Sequence, residues 1–384
     1  MGNSASALPY SIDAQVGAPH DHNGWAFHEG KATGAASSGA SPSGSSASSY
    51  SKAGARVSVF VGKKPSLAKT PVSPRHPSKM QLVPAYHHYQ NCRKLRHPHI
   101  LQVLATLDTD NPTAATTEGA AATTADSSSM VHDKKATGDL IVVTEPCMSL
   151  DQWLLSSPSR EELAWGLESM VRGLHFLHND AKLAHGNLSP SSFYVTLSGD
   201  VKLWNFSIIT PISDSGPSRH FQEWEAAVTP DAYRSPERIQ SNYNVIASVS
   251  GSPSGGPHGI DSYGLGILMD HYWNGNIPQP LQKATQRLQT PNLKMRPRVQ
   301  PLLKCPVFDT PFQKIQLQLS EILVQPVEQK VALWQTLFSS LQSGGLKKAV
   351  AVHKVLPLIQ NSILTICSNE AMMSQDFYRR EGTR

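Results

Sequence analysis

"HGNLSPSSFYVTLSGDVKLWNF", residues 185–206, joins a polar loop to two short apolar runs. His185 and Leu188 lead into an apolar run, Phe193-Tyr194-Val195. A turn at Ser198-Gly199-Asp200 follows, then a second short run, Val201-Lys202-Leu203. Two short apolar and β-branched segments around a Gly-containing turn read as a pair of strands, 193–196 and 201–204. The polar positions at the head and tail of this unit are Asn187, Ser192 and Asn205. None of the three carries a charge.

Working outward, the elements change character along the chain. "VSVFVGKK" (57–64) alternates apolar and β-branched residues and predicts a strand. "AYHHYQNCRKLRHPHIL" (85–101) predicts a helix, a Pro-broken turn and then a strand through Leu107. "DLIVVTE" (139–145) predicts a buried strand. Leu163, Leu167, Met170, Val171, Leu174 and Leu177 form one face of a long helix ended by Asn179-Asp180. An irregular segment is expected from the 201–204 strand to Glu237, with helices such as "GIDSYGLGILMDHYW" beyond it. Strands come first and helices later, joined near residue 146, which predicts a two-lobed α+β fold. Past residue 311 three apolar faces keep helical spacing. The first is Phe312, Ile315, Leu319, Ile322 and Leu323. The second is Val327, Val331, Trp334, Leu337, Phe338 and Leu341. The third is Val352, Leu356, Ile359, Ile363 and Ile366, with Pro357 as a kink. Pro326 and Gly344-Gly345 separate them, and short breaks between helices predict the start of a HEAT-like α-solenoid.

Composition bounds the rest. The chain has 384 residues and a net charge of +5. Three tracts (34–49, 110–138 and 248–259) are built mainly from Gly, Ala, Ser, Thr, Pro and a few charged residues. They cannot bury enough apolar surface to offset chain entropy and are expected to be flexible. Four cysteines, Cys92, Cys147, Cys305 and Cys367, lie far apart, which suits reduced thiols. No apolar run approaches the ~20 residues of a membrane span, and no signal peptide opens the sequence. Sixteen histidines lack the Cys or carboxylate spacing of a metal centre, so no metal is expected. Residues 30–107 hold eleven Lys or Arg and not one Asp or Glu.

The 185–206 unit resembles a protein-kinase catalytic loop, H-R-D-L-x-x-x-x-N, followed by D-F-G. Other stretches extend the resemblance in the right order. "LRHPHIL" matches the end of the regulatory helix, and "LIVVTEP" matches the fifth strand and hinge, with Thr144 at the gatekeeper position and Glu145 after it. "YRSPE" resembles A-P-E, with Glu237 as its glutamate. Asp261 matches the aspartate that anchors the catalytic loop. "MRPRVQPLLKCPVF" supplies Arg296 as the expected partner of Glu237. The chemical positions are replaced: Phe60 stands at the strand lysine, His88 at the helix glutamate, Asn187 at the catalytic base, Ser192 at the metal-binding asparagine and Asn205 at the D-F-G aspartate. No G-x-G-x-x-G is present. A general base is worth about 10²–10⁴ in rate, and one preorganised electrostatic group about 2.7–4 kcal/mol. Losing base, lysine and both magnesium ligands predicts a pseudokinase with no cofactor. Any ATP would bind weakly along Thr144 and Glu145. The alternative is a divergent ATP-binding Ser/Thr kinase with weak residual phosphotransfer.

Together with "WAFHEGKATG", "LRHPHILQVLATLDTD", "LIVVTEPCMSL", "LAWGLESMVRGLHFLHND" and the tail "KVLPLIQNSIL", these motifs resemble the SCYL (Scy-like) family, inactive kinase domains followed by HEAT repeats. The resemblance implies a scaffold or adaptor in intracellular membrane traffic, at the Golgi and with coat proteins, binding partners through its helical segment. It divides the chain into a disordered terminus (1–19), a first kinase-like lobe (20–145, with inserts at 34–54 and 110–138), a second lobe (146–311) and a HEAT-like segment (312–384). "MGNSAS" matches M-G-x-x-x-[ST], which makes Gly2 a myristoylation acceptor. The basic residues between 52 and 96 then supply attraction to an anionic membrane. No nucleic-acid motif accompanies them, and nucleic-acid binding is not expected. The implied location is cytoplasmic and peripheral to the Golgi or another endomembrane.

Overall fold

The structure, a computed structural model, describes residues 8–17, 24–33, 50, 52–63, 82–109, 116–117, 139–212, 216–247, 257–322, 326–342 and 346–360. Its first lobe is an antiparallel sheet of β1 (Tyr10–Gln15), β2 (Ala26–Ala32), β3 (Arg56–Lys63), β4 (Val103–Asp108), β5 (Thr116–Thr117) and β6 (Asp139–Thr144), in the order β1-β2-β3-β6-β4-β5. Helix α1 (Leu82–Cys92) packs against β3 and β6. Alternation along β3 sorts its side chains between two cores. Phe60 joins the main core under α1 with Leu140 and Val142, whereas Val57 and Val59 join Ile141 and Val143 on the opposite face.

The terminus expected to be disordered is structured in part. Tyr10, Ser11 and Ile12 pair with Ala32, Lys31 and Gly30, so residues 10–15 form the edge of the sheet. Leu8 and Tyr10, two apart, pack onto the second core, which anchors the strand. The approach is close: a Cβ on Gly30 would lie 2.5 Å from the Ser11 carbonyl oxygen.

In the second lobe β7 (Cys147–Ser149) leads from the linker into α2 (Leu150–Leu155) and the long α3 (Arg160–Asn179). A capping box fixes the start of α3. The Ser159 hydroxyl accepts from the Glu162 amide, and the Glu162 carboxylate accepts from the Ser159 amide at 2.8 Å. Short strands β8 (Leu183–Ala184), β9 (Phe193–Thr196), β10 (Val201–Leu203) and β11 (Thr210–Pro211) frame the loop of interest, with β9 paired to both β7 and β10. The segment expected to be irregular contains a ten-residue helix, α4 (Arg219–Val228). Ser218 caps it, and its inward face is Phe221, Glu225 and Val228. Only two of those three are apolar, which hid the helical period. Helices α5 (Pro236–Ile239), α6 (Tyr243–Ala247), α7 (His258–Tyr272) and α8 (Gln279–Leu288) complete the lobe.

Three further helical pieces follow: α9 (Pro311–Ser320), α10 (Val327–Gln342) and α11 (Lys348–Val350), the last running into a π-turn at Ala351–Val355. The π-turn ends two residues before Pro357, whose ring and missing N–H disfavour a regular ladder there. These helices share their own core, including Leu319, Ile322, Leu333, Leu337, Val350 and Val355. Charged contacts tie them to the second lobe. Lys347 Nζ lies 2.6 Å from the Glu162 carboxylate, and Lys354 Nζ donates to Asp200 and Gln316 at 2.8 Å each. Burial alone would raise the Asp200 carboxyl, but the Lys354 and Lys202 charges hold it below the usual carboxylate range. The β9–β10 turn is therefore also the seat of the helical segment. Gly2, Lys64, Ile363, Ile366 and nearly all of the three low-complexity tracts lie outside the described residues.

Candidate functional site

The cleft between the lobes is built from β2 and β3 above, the 145–149 linker behind, and β9 with the 204–207 segment below. Phe60, expected at the position of the phosphate lysine, is 1 % exposed. Its ring centroid is 5.0 Å from Phe27 of β2, 5.1 Å from Tyr194 of β9 and 5.1 Å from Trp204. Phe27 also reaches Tyr194 directly, at 5.7 Å. Roof and floor of the cleft thus meet through aromatic rings. Such pairs contribute roughly 0.5–1.5 kcal/mol each beyond the area they bury. Burial lifts the Tyr194 hydroxyl well above its ordinary range, so it is no proton shuttle at neutral pH.

His88, expected at the place of the helix glutamate, extends the same packing. It meets Trp204 edge-on at 4.4 Å and Trp25 at 5.3 Å, and its Nδ1 accepts from the Phe206 amide at 2.9 Å. Burial, with His185 and His87 nearby, lowers its pKa to about 3. It is a neutral spacer.

The linker has used its own hydrogen-bonding groups. The Cys147 amide donates to Ser58 Oγ at 3.0 Å, and that hydroxyl lies 3.3 Å from the Cys147 carbonyl. Thr144 Oγ1 donates to the Glu145 carbonyl at 3.0 Å, and the Glu145 carboxylate accepts from the Gln102 amide at 2.9 Å. A planar base entering here would have to displace Ser58 as well as the rings.

Asn187, Ser192 and Asn205 are brought together below the plug. Asn187 is fully buried, and neither its Oδ1 nor its Nδ2 has a protein partner; Asn205 Nδ2 is likewise unpartnered. Ser192 Oγ donates to the Asn187 carbonyl, and the Trp204 amide donates to the Ser192 carbonyl at 2.8 Å. Asn205 sits at φ +63°, a left-handed conformation that asparagine tolerates better than most residues. An amide cannot take a hydroxyl proton at neutral pH.

The loop that carries Asn187 is held rigidly. Asp261 accepts from the His185 amide at 2.6 Å, the Gly186 amide at 2.8 Å and His178 Nε2 at 2.8 Å. Burial would raise its carboxyl; these bonds and the His178 and His185 rings hold it below the usual range. Gly186 has φ +76°, and a Cβ there would lie 2.6 Å from the Phe221 ring. Deeper in the lobe Arg296, 0 % exposed, forks onto Glu237 at 2.9 and 3.2 Å and donates to the Gly259 carbonyl at 2.8 Å.

Sequence reasoning missed a second buried network. Arg238 Nε donates to Glu225 at 2.5 Å, and its Nη2 donates to the Gly186 carbonyl at 2.8 Å. Arg234 also reaches Glu225, at 3.3 Å. It missed the aromatic plug as well, although the crowding of Trp25, Phe27, Phe60, Tyr194, Trp204 and Phe206 at cleft positions was a visible signal.

No protein-family model matches the chain. Curated relatives do. The probable inactive serine/threonine-protein kinase scy1 of Dictyostelium discoideum is 26 % identical over 298 residues, covering 74 % of this chain and 31 % of that protein. SCY1-like protein 2 of Homo sapiens is 25 % identical, over 53 % of this chain and 25 % of its own length. This chain is a relative of the SCY1-like pseudokinases. A third relative, the mouse protein-associating with the carboxyl-terminal domain of ezrin, is 24 % identical over 58 % of this chain and 30 % of its own. The chain thus spans under a third of the length of each of these relatives. Among solved structures, the crystal structure of Cex1p matches 97 % of this chain and 57 % of that chain, with a TM-score of 0.54 at 18 % identity. That likeness is one of fold: a kinase-like pair of lobes, sheet-rich then helical, with a helical continuation.

Proposed function

We propose that this chain is a catalytically inactive, kinase-like scaffold whose cleft is a packed core and not a nucleotide site. The observation that carries the proposal is Phe60, buried against Phe27, Tyr194 and Trp204 where the phosphate lysine would stand. Binding ATP would require opening that packing, freeing the linker from Ser58 and neutralising phosphates without lysine or acidic metal ligands. Thermal unfolding with ATP, with and without magnesium, tests this. No shift up to millimolar nucleotide is expected. Magnesium-dependent stabilisation below a millimolar, with phosphoryl transfer lost in Asn187→Ala, would establish the divergent kinase instead.

The role of the scaffold is read as holding proteins at an endomembrane. Its supports are the SCYL resemblance, the helical segment docked on the second lobe, and one relative named for associating with another protein's carboxyl-terminal domain. Coat or other trafficking proteins would bind the helical segment. Attachment would come from a myristoyl chain on Gly2, marginal alone at roughly 10⁴ M⁻¹, joined by basic residues of 52–96 at about 1 kcal/mol each near an anionic leaflet. Gly2→Ala should release the protein from membranes. Charge-neutral substitution of Lys52, Arg56 and Lys63 should weaken binding to anionic but not neutral vesicles. Equal binding of both variants to anionic vesicles would remove the membrane part of the proposal.

A further inference from the structure

The second lobe and the helical segment have separate hydrophobic cores. The core of the lobe ends at Phe308, and the helical core begins at Phe312, with Ile315 and Leu319 after it. Among the described residues, none beyond Phe308 belongs to the first core and none before Phe312 to the second. The boundary between two packed bodies thus falls at residues 309–311, where Thr310 caps α9. Between the bodies lies a cavity of about 200 Å³, lined by Trp153 and Trp165 from the lobe and by Phe312 and Val350 from the helices, among others. Protein interiors leave few voids larger than a water molecule, so this junction is not packed as either core is.

Charged and polar contacts span the junction. From the helical side, Lys354 Nζ reaches Asp200 Oδ1 at 2.8 Å and lies 5.1 Å from the centre of the Trp165 ring. Trp165 Nε1 donates to the same carboxylate at 2.8 Å, and Ser198 Oγ donates to it at 2.7 Å. An acid beside an aromatic face is a fitting seat for an ammonium group. The second seat is the capping box of α3. Lys347 Nζ lies 2.6 Å from Glu162 Oε2 and donates to Ser159 Oγ at 2.7 Å. A weaker contact joins Gln313 Nε2 to the Glu161 carbonyl at 3.4 Å. The Lys354 side chain is 12 % exposed and that of Lys347 is 36 % exposed, so the Asp200 seat is the more enclosed of the two.

We propose that the two seats are a latch: Lys347 and Lys354 dock the helical segment on the second lobe, and the segment swings away as a unit about residues 309–311 when they let go. Neither core is broken by this motion, because each stays within its own body. A joint sealed by apolar surface resists opening in proportion to the area exposed. A joint held by ion pairs instead exchanges them for hydration, and the cavity beside them leaves less packing to lose. Asp200 keeps its bonds from Trp165 and Ser198 in the open state and gains water in place of Lys354. Opening uncovers Trp165, Asp200 and Glu162 on the lobe and changes the direction in which the helices face a partner. The latch works the same way whichever partner the helices hold.

Hydrogen exchange of the full chain, read by mass spectrometry, tests the latch locally. Lys354→Met keeps an unbranched stem over Trp165 and removes the charge. It leaves the Asp200 carboxylate without its cation, a cost that opening to water relieves, so exchange at 196–200 and 347–355 should quicken roughly tenfold or more. Lys347→Gln should do less, since its seat is more exposed, and the double variant should do most. Amides within the two cores, at 167–177 and 331–337, should keep their parent rates, which separates opening of the joint from unfolding. Lys348→Gln removes the same charge from an exposed neighbour and should leave the junction as it is in the parent. The latch is overturned if the double variant exchanges at the junction like the parent, if both cores lose protection along with it, or if Lys348→Gln quickens the junction equally.

Discussion

The base of the second lobe and the cleft between the lobes treat buried polar groups in opposite ways. At the base, Arg296 is fully buried yet forked onto Glu237, and Arg238 is buried against Glu225 and the Gly186 carbonyl. Asp261 accepts three hydrogen bonds. In the cleft, Asn187 is as deeply buried and neither polar atom of its side chain has a protein partner, while the space around Phe60 is filled with rings. A buried charge with its partner removed is strongly destabilising, so the skeleton admits little change. A cleft relieved of chemistry has no such constraint, and hydrophobic filling stabilises it. The difference teaches that the fold outlasts the reaction because its supporting charges are separate from the reacting ones.

Substitutions in the two regions should have very different costs. The largest effect is expected for Arg296→Ala, which leaves Glu237 buried and unpaired and should cost about 3–5 kcal/mol in urea unfolding. A loss below 1 kcal/mol would show that the pair does not brace the lobe. Phe60→Ala removes the centre of the aromatic plug and should cost about 3–5 kcal/mol, at the lower end if the rings collapse inward. No ATP binding should be gained, since the linker remains engaged by Ser58.

Acid should weaken the fold through its buried and half-buried histidines. His88 is held at about 3 and His87 and His97 at about 4, chiefly by burial. Their ordinary value is near 6.5. The unfolded chain therefore binds more protons between these values, so the stability they confer is complete above pH ~6.5 and declines as pH falls toward 4. Denaturation midpoints at successive pH values should fall over that window. His88→Phe, if folded, should flatten part of the decline; an unchanged slope would mean that His88 is not buried neutral.

The smallest effect is expected for Asn187→Leu. The substitution keeps approximate shape and removes two unpartnered buried polar atoms, so stability should be unchanged or rise by about 1 kcal/mol. A loss beyond 2 kcal/mol would show that the amide has partners, such as bound water, that matter to the loop.

The sequence by itself determined the two-lobed kinase-like plan, because hydrophobic periodicity and ordered motifs are local signals. The run from Leu163 to Leu177 needed only its own spacing to be read as a helix. The expectation that Phe60, Asn187, Ser192 and Asn205 stand at the lysine, base and metal-ligand positions was equally a reading of local signals, since each is a single residue at a fixed place in a motif. Only the tertiary structure decided what fills the cleft. Phe27, Phe60, Tyr194 and Trp204 come from four separate segments, and ring contact depends on how β2 and β3 lie over β9. It also decided that residues 10–15 are a sheet edge. Their outer positions are largely exposed, and the strand is defined by backbone pairing to β2, which carries no side-chain pattern. The same holds for Glu225: a lone acid on a helix face reads as solvent-facing until two arginines from a later loop and helix close over it. Long-range electrostatic pairing and cleft packing join residues far apart in the chain, and no local period encodes them.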